Sequence, residues 1–508
     1  MGLEASKRGL FTQQSALYTT GHNISNANTD GYSRQRVNME TTAGYPGSGL
    51  NAPTTAGHIG TGVQAHSVQR IRDEFVDRQY RQETNKLGYW ESTTKTISQM
   101  EDIMTEPSEF GLNQAFTDFW KSMEDVISNP KDTAARQVMI SKGQSLAESF
   151  NYMDTQLKLI QGNIGNEIEV VTDEANNLLK QIADINAQIQ TVEPNGYLPN
   201  DLYDARDVLV DKLNEIIPVS ISYEKSGGNA LAIAEGSLTV TFKTTDGKSI
   251  DLVKGREYAL ISSKDSAGGT IDGDVDTAAN GYNEFQQFEI SSLGLPPTAG
   301  ADNIVSYDQL EASKGKLMAL IDSYGHSNGE GLYPEMLANL DALANEFITE
   351  FNKIHAGADS FDLEGNAGTN FFSGTTARDI TVIITDPKKV AASNAQGEEG
   401  NNKNIVALAA LQSTVQGNLQ GGTFQTYYKS LIGDLGVKGQ QAQVLYSNSG
   451  TLQLQISNNR ASYNSVSLDE EMTNMITFQQ AYNANARMIT VIDETLDKII
   501  NGMGRVGL

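Results

Sequence analysis

A chain of 508 residues with 37 Lys and Arg against 63 Asp and Glu carries a formal charge of −26 and has a pI near 4.6. That charge repels nucleic-acid phosphates and anionic membranes alike, and the absence of cysteine removes disulfides, thiol catalysis and cysteine-ligated metal together. Only 38% of residues are hydrophobic and mean hydropathy is −0.38, so the length reads as about two to four domains in an elongated, surface-rich arrangement.

The first ten residues, MGLEASKRGL, lack the apolar run of about 7–15 residues that a Sec-type signal needs, so neither Sec export nor membrane insertion is expected. Gly2 with Ser6 fits a myristoylation pattern too short to carry weight. Leu3, Leu10, Leu17 and Ile24 recur every seven residues, with small or polar Ser6, Gln13 and Thr20 between them. This spacing predicts a helix with one side of a coiled-coil seam. It should stop at Asn26–Gly31, where Asn, Asp and Gly favour a turn. Tyr32 to Met39 reads as extended, and residues 41–66, rich in Gly, Pro and Thr, as loop. The basic cluster Arg70, Arg72, Arg78, Arg81 and Lys86 is interleaved with Asp73, Glu74, Asp77 and Glu83, which predicts a solvated helix face.

From Phe75 to Val192 the pattern is helical, broken near Pro107 and Pro130. Leu146, Phe150, Met153, Leu157, Ile160, Ile164, Ile168, Val171, Ala175, Leu178, Ile182, Ile185, Ile189 and Val192 step by threes and fours. A continuous helix from Ala134 would be about 90 Å long. At Pro218 the period changes: Val219, Ile221 and Tyr223 alternate with Ser, as Leu238, Val240 and Phe242 do with Thr, predicting strands. Helical periodicity returns with Leu340, Ala344, Phe347, Phe351 and Ile354. A strand at Ile380–Thr385 and a Gly/Asn-rich loop at 392–402 precede more helix. Ser467 with Glu470 has capping-box spacing. Beyond it Met475, Phe478, Tyr482, Ile489, Ile492, Leu496, Ile499 and Met503 keep heptad register, with Asn485 as the interruption.

The predicted fold is therefore mainly α with an inserted β domain: a long helical rod-like domain plus terminal coiled-coil helices, elongated and multidomain. The expected units are residues 1–40 with 465–508 as a terminal coiled-coil assembly region, 41–217 with 311–464 as the helical rod, and 218–310 as the β domain. Half a coiled coil does not stand alone, so the C-terminal helix needs a partner. The N-terminal stripe can supply one within the chain and neighbouring subunits another; spacing leaves both open.

The segment from Gly21 to Val37, GHNISNANTDGYSRQRV, resembles the N-terminal signature of flagellar rod, hook and junction proteins, and its SRQRV ending looks like the hook-associated protein 1 family. Phe478 to Arg487, FQQAYNANAR, with Asp493–Asp497, is similar to the same family at the other end, as are Asn200–Asp207 and Asn352–Gly357 between them. The resemblance implies a non-catalytic structural subunit, exported by the flagellar type III apparatus and located outside the cell at the hook–filament junction. Its terminal helices would pack as an inner tube with Leu3, Leu10, Leu17, Ile24, Met475, Phe478, Tyr482, Ile489, Ile492, Leu496 and Ile499 as the assembly interface. The implied partners are its own copies, hook protein, the next hook–filament junction protein and a cytoplasmic flagellar export chaperone; no nucleic acid, membrane insertion or cofactor is expected.

Catalytic and metal patterns are weak beside this. None of His22, His58, His66, His326 and His355 begins a His-Glu-x-x-His motif. His58 and His66 read as loop residues rather than a metal pair. Asp272, Asp274 and Asp276 mimic a calcium loop, but Thr277 replaces its Gly and Asn283 its bidentate Glu. Asp201, Asp204 and Asp207 share a helix face beside Arg206 and read as a charge-balance network rather than an acid–base site. A rival reading, a secreted hydrolase with the 218–310 insert as its catalytic domain, finds no supporting motif there.

Overall fold

The computed structural model describes residues 2–45, 57, 59–104, 111–271, 273, 281–298, 300, 302–310, 313–326 and 329–502. The chain begins with α1 (Gly2–Ser25) and a hairpin of β1 (Gln35–Thr41) and β2 (Val63–Arg70). Three helices follow: α2 (Glu74–Met104), α3 (Leu112–Ser128) and α4 (Thr133–Val192). The periodicity that predicted one long rod is realised in α4, which runs 60 residues without a break, about 90 Å. Pro130 precedes it, and the Asp132 carboxylate starts it by accepting from the Ala134 N–H at 2.9 Å. Its apolar side is buried from Met139 to Ile189.

After α5 (Asn200–Ile216) come β3 (Val219–Glu224), β4 (Ser237–Lys243), β5 (Ser249–Lys254) and β6 (Glu257–Tyr258), one antiparallel sheet in that order. A second antiparallel sheet holds β7 (Ile261–Asp265), β8 (Phe285–Ile290) and β9 (Asn303–Ser306). The two predicted alternations face each other: Val219 pairs with Phe242, Ile221 with Val240 and Tyr223 with Leu238. Both sheets are pinned to α4 by asparagines. Asn186 donates to the Leu238 and Gly255 carbonyls at 2.8 and 3.0 Å and accepts from the Leu238 N–H at 3.0 Å, while Asn176 bonds both the N–H and the carbonyl of Ile261. Leu238, Val240 and Leu252 join Ile182 of α4 in one continuous apolar core. Residues 218 and 310 therefore mark a change of secondary structure, while packing continues across them.

The chain closes with α6 (Lys316–Tyr324), α7 (Leu332–His355), the short pair β10 (Phe372–Ser373) and β11 (Thr381–Val382), α8 (Lys403–Ala410), α9 (Phe424–Asn464) and α10 (Leu468–Gly502). Where α3, α4, α7 and α9 meet, aromatic rings fill the rod: Phe116 and Phe347 stand edge to face at 5.3 Å and Phe347 and Phe424 at 5.4 Å. The other end of the rod is built by α2, α5, α6 and the sheets.

Two expectations are corrected. Residues 63–66, read as loop, begin β2. The hairpin lacks clean alternation because it is held by its ladder and by α1, where Thr12 donates to the Val63 carbonyl at 3.2 Å. The strand expected over Ile380–Thr385 is reduced to β11. His58, Asp272, Asp274, Asp276, Thr277 and Met503 lie outside the described residues.

Candidate assembly interface

The first and last helices pack together, antiparallel: Gly2 lies beside Ile492, Gly9 beside Asn485, and the Asn23 amide donates to Glu471 at 3.2 Å. The contact face of α1 and of the hairpin resting on it is made by Ser6, Gly9, Thr12, Ala16, Thr19, Thr20 and Asn23, all small or polar. A methyl group on Gly9 would stand 2.9 Å from the Asn485 side-chain oxygen, so the close approach depends on glycine. Asn485, the polar interruption of the C-terminal heptads, thus sits opposite a glycine inside the N-terminal helix.

The sequence-predicted seam residues occupy different places. Leu3 is 42% exposed, and Leu10, Leu17 and Ile24 are half-buried along the edge of the α1 contact face. Met475, Phe478, Tyr482, Ile489 and Ile492 are half-buried on the side of α10 that carries Asn485. Leu496 and Ile499 are exposed. Further apolar side chains stay uncovered on the paired helices: Phe11 and Tyr18 on α1, and Leu468, Met472, Ile476, Met488, Val491 and Ile500 on α10.

Where this pair meets the rod, one joint ties four elements. The Asn23 amide pairs with the backbone of Gln35 in both directions, at 2.8 and 3.0 Å, as a neighbouring strand would, and accepts from Tyr32 Oη at 2.8 Å. Arg34 donates to Glu471 at 2.7 Å and to Glu470 at 3.0 Å, and its N–H bonds the Asn464 carbonyl at the end of α9. The Arg34 guanidinium, hydrogen-bonded to the Glu470 carboxylate, holds its carboxyl below its usual range. The Ser33 N–H bonds Asp204 of α5 at 3.0 Å.

Behind the joint lies a buried ionic network. Arg70 contacts Asp204 at 2.7 Å, Asp207 at 2.9 Å and Glu235; Arg72 reaches Asp77 and Asp207; Arg81 reaches Asp211 at 2.6 Å. Arg460 of α9 closes it with ion pairs to Asp77 and Asp211, both at 2.7 Å. Burial opposes ionisation of Asp207, yet Arg72, Arg70 and Arg81 together hold its carboxyl far below the carboxylate range. For Asp204 burial prevails over Arg70 and the Ser33 N–H, and its carboxyl is raised. The solvated face expected for Arg70, Arg72 and Arg81 is thus corrected: Arg70 and Arg81 are buried and Arg72 is half-buried, while Arg78 and Lys86 are exposed. Local interleaving of signs concealed partners more than a hundred residues away. The cost of desolvating these charges offsets much of their attraction, so the network is weak evidence for added stability.

Among the described residues no group of three or more His, Asp or Glu is arranged to hold a metal, and no helix is long and apolar enough to cross a membrane. His66 pairs with Glu40 at 3.3 Å on the surface of the hairpin. Sequence reasoning places Asn23 and Arg34 only within familiar segments and reads Asp204 and Asp207 as a charge-balance network beside Arg206, whereas their partners are Arg70, Arg72 and Arg81; Gly9 and Glu471 carry no reading there, although a glycine within a heptad helix is a legible signal of close approach.

Comparison with known proteins agrees at both ends and in the middle. Residues 97–372 match the family described as "Flagellar hook-associated protein FlgK helical domain", residues 3–32 "Flagella basal body rod protein" and residues 463–502 "Flagellar basal body rod FlgEFG protein C-terminal". The chain is 41% identical over 520 residues to flagellar hook-associated protein 1 of Bacillus subtilis (strain 168), covering 99% of this chain and 98% of that one. It is 28% identical to the protein of the same name from Escherichia coli (strain K12), covering 97% and 98%. The solved structure of the flagellar hook junction protein FlgK from Burkholderia pseudomallei aligns with a TM-score of 0.59 over 78% of this chain and 100% of that one, at 14% identity, and shares the fold.

Proposed function

The chain belongs to the flagellar hook-associated protein 1 family, and from that premise we propose how its terminal helices do the work of a structural subunit at the junction of hook and filament. Copies assemble through α1 and α10, with the apolar side chains the pair leaves exposed, Leu3, Leu496 and Ile499 of the predicted seam among them, as the interface, hook protein on one side and the next junction protein on the other. A cytoplasmic export chaperone covers α10 before passage through the flagellar type III apparatus. The subunit performs no catalysis.

The observation that carries this reading is the unfinished burial of the terminal pair. The two helices cover each other's small and polar faces and leave Phe11, Tyr18, Met472, Ile476, Val491 and Ile499 in solvent. Each such side chain gains about 1.5–3 kcal/mol when fully buried, so a tube of copies is strongly favoured over an isolated pair.

The test is Ile476→Glu as the only copy in the cell. A carboxylate there stays hydrated in the monomer and is desolvated in the assembled tube. The variant should leave the cell yet fail to support filaments, with filament protein appearing in the medium, while Thr477→Glu, an exposed polar neighbour, supports them. Ordinary filaments built on exported Ile476→Glu protein would overturn the reading.

A further inference from the structure

Two rows of exposed, uncharged side chains lie on the rod itself, away from the terminal helices. From Gly439 to Asn459 no charged residue occurs, although Lys438 and Arg460 bracket the stretch and the whole chain carries 100 charges, 37 positive and 63 negative. On the outward side of α9, Val437, Val444, Thr451 and Asn458 recur every seven residues, all exposed; Val437 is 65% and Val444 53% accessible. The second row is on α4: Val138, Ser145, Tyr152, Leu159 and Asn166, also at seven-residue spacing and all exposed, with Leu159 57% accessible. Glu148 flanks this row without interrupting it.

The rows belong to different parts of the rod. Helix α9 runs along α2, with Gly439 beside Glu101 and Ile97 and Arg460 paired to Asp77. Helix α4 meets α2 at the Lys95–Glu167 ion pair and continues past the level of Met104, where Tyr428 touches both Met104 and Met153. Both α2 and α7 pack against α4 and against α9. The two rows are therefore staggered along the rod and cannot cover one another within a single copy.

The geometry points to a contact between copies of this chain in which the α9 row of one rod lies on the α4 row of the next. A net charge of −26 opposes close approach of two copies least where acids are sparse, and each row is flanked by one exposed acid, Glu148 beside the α4 row and Asp434 at the start of the α9 row. Heptad spacing on both sides lets the rows interdigitate as a short coiled-coil seam. Because the two faces differ, the contact is heterologous: every copy offers a free α9 row and a free α4 row, which generates a ring or helical array rather than a closed pair. The inference rests on the junction role proposed above and adds a rod-to-rod contact to the one made by the terminal helices.

Cross-linking tests it directly, since the natural chain has no cysteine. Cells are made to express Val444→Cys together with Leu159→Cys, or either alone, and isolated hook–filament structures are treated with a short bis-maleimide. Tyr152→Cys is used in parallel with Leu159→Cys to allow for register. A dimer of two copies is expected when variants of both rows are present, and its loss when either row is represented alone. A dimer from Val444→Cys alone, a cross-link to a different flagellar protein, or no cross-link in structures that contain the subunit would each overturn the rod-to-rod contact and leave the junction role standing. Absence of the subunit from the structures would overturn both.

Discussion

His355, at the end of α7, is held neutral by geometry: Nδ1 donates to the Thr369 carbonyl at 2.6 Å, and Nε2 accepts from the Ala391 N–H at 3.0 Å. A proton on Nε2 would face that N–H. Burial in the core, with Arg136 adding to it, pushes the ring's pKa from 6.5 down to about 4. The unfolded chain then binds a proton that the folded chain refuses between those values. Stability is complete above the unfolded value and falls with acid by about 1.4 kcal/mol per pH unit between pH 6.5 and 4. His355→Gln keeps a donor and an acceptor without the titration. Its denaturation midpoints should show a shallower acid slope than the natural chain's, and equal slopes would contradict the assignment. Arg34 makes a similar argument at the joint. Removing it as Arg34→Ala strands Glu471, whose side chain is 3% exposed, and should cost about 3–5 kcal/mol of local docking. Amide exchange in the first turns of α10 should rise while the rod's melting temperature stays within error; unchanged exchange would show that the joint does not hold the helix.

Among the elements, the sheets depend on α4 for polar as well as apolar partners. Asn186→Ala would leave the buried Leu238 N–H and the Leu238 and Gly255 carbonyls without their side-chain partner, at about 1–3 kcal/mol for each group left unsatisfied. Chemical denaturation should register a loss of at least that of one group; a loss confined to the sheets, with α4 intact, would show that they unfold as a separate unit. The length of α4 and the presence of strands β3 and β4 were legible from the sequence because each follows a regular apolar period; that the two strands pair was not. Strand β2 was not, since its hairpin borrows cohesion from α1 and from the ladder rather than from alternation. The Arg70, Arg72 and Arg81 cluster misled for a related reason: neighbours of opposite sign nearby in sequence mimic a solvated face, while the true partners, Asp204, Asp207 and Asp211, come from α5. In α1 the leucine repeat drew attention to one edge, whereas the closest packing goes through Gly9 and Ala16, which apolar periodicity does not weigh.

At the scale of the molecule, the terminal pair and the rod meet through polar contacts at one end: the Asn23–Arg34–Glu471 joint, the hairpin lying on α1, the Ser33–Asp204 bond, and the approach of His22 and Gln35 to Asp201. None of the largest buried side chains, such as Trp120, Phe116 and Tyr333, lies in α1 or α10. The rod should therefore fold without either terminal helix, provided the cut spares the joint's contribution to α5. Removing residues 1–31 keeps Ser33 on Asp204; removing residues 1–35 would leave that buried, raised carboxyl without its N–H donor and take the first residue of β1 as well. Deleting 466–502 with the residues beyond leaves α9 whole and frees Arg34 to solvent. Each of these two deletions should lower the melting temperature by no more than a few degrees, because the core term is untouched and a loss of about 1 kcal/mol shifts a large domain only slightly. Both should abolish incorporation at the hook tip, because the apolar faces that other copies must cover are gone. The 1–35 deletion, by contrast, should destabilise the rod measurably more than the 1–31 deletion. Calorimetry of the three shortened chains, paired with imaging of hook–filament junctions in cells that carry them, separates folding from assembly; equal melting of the two N-terminal deletions would remove Ser33 from the joint, and junctions built without α10 would remove the helix from assembly.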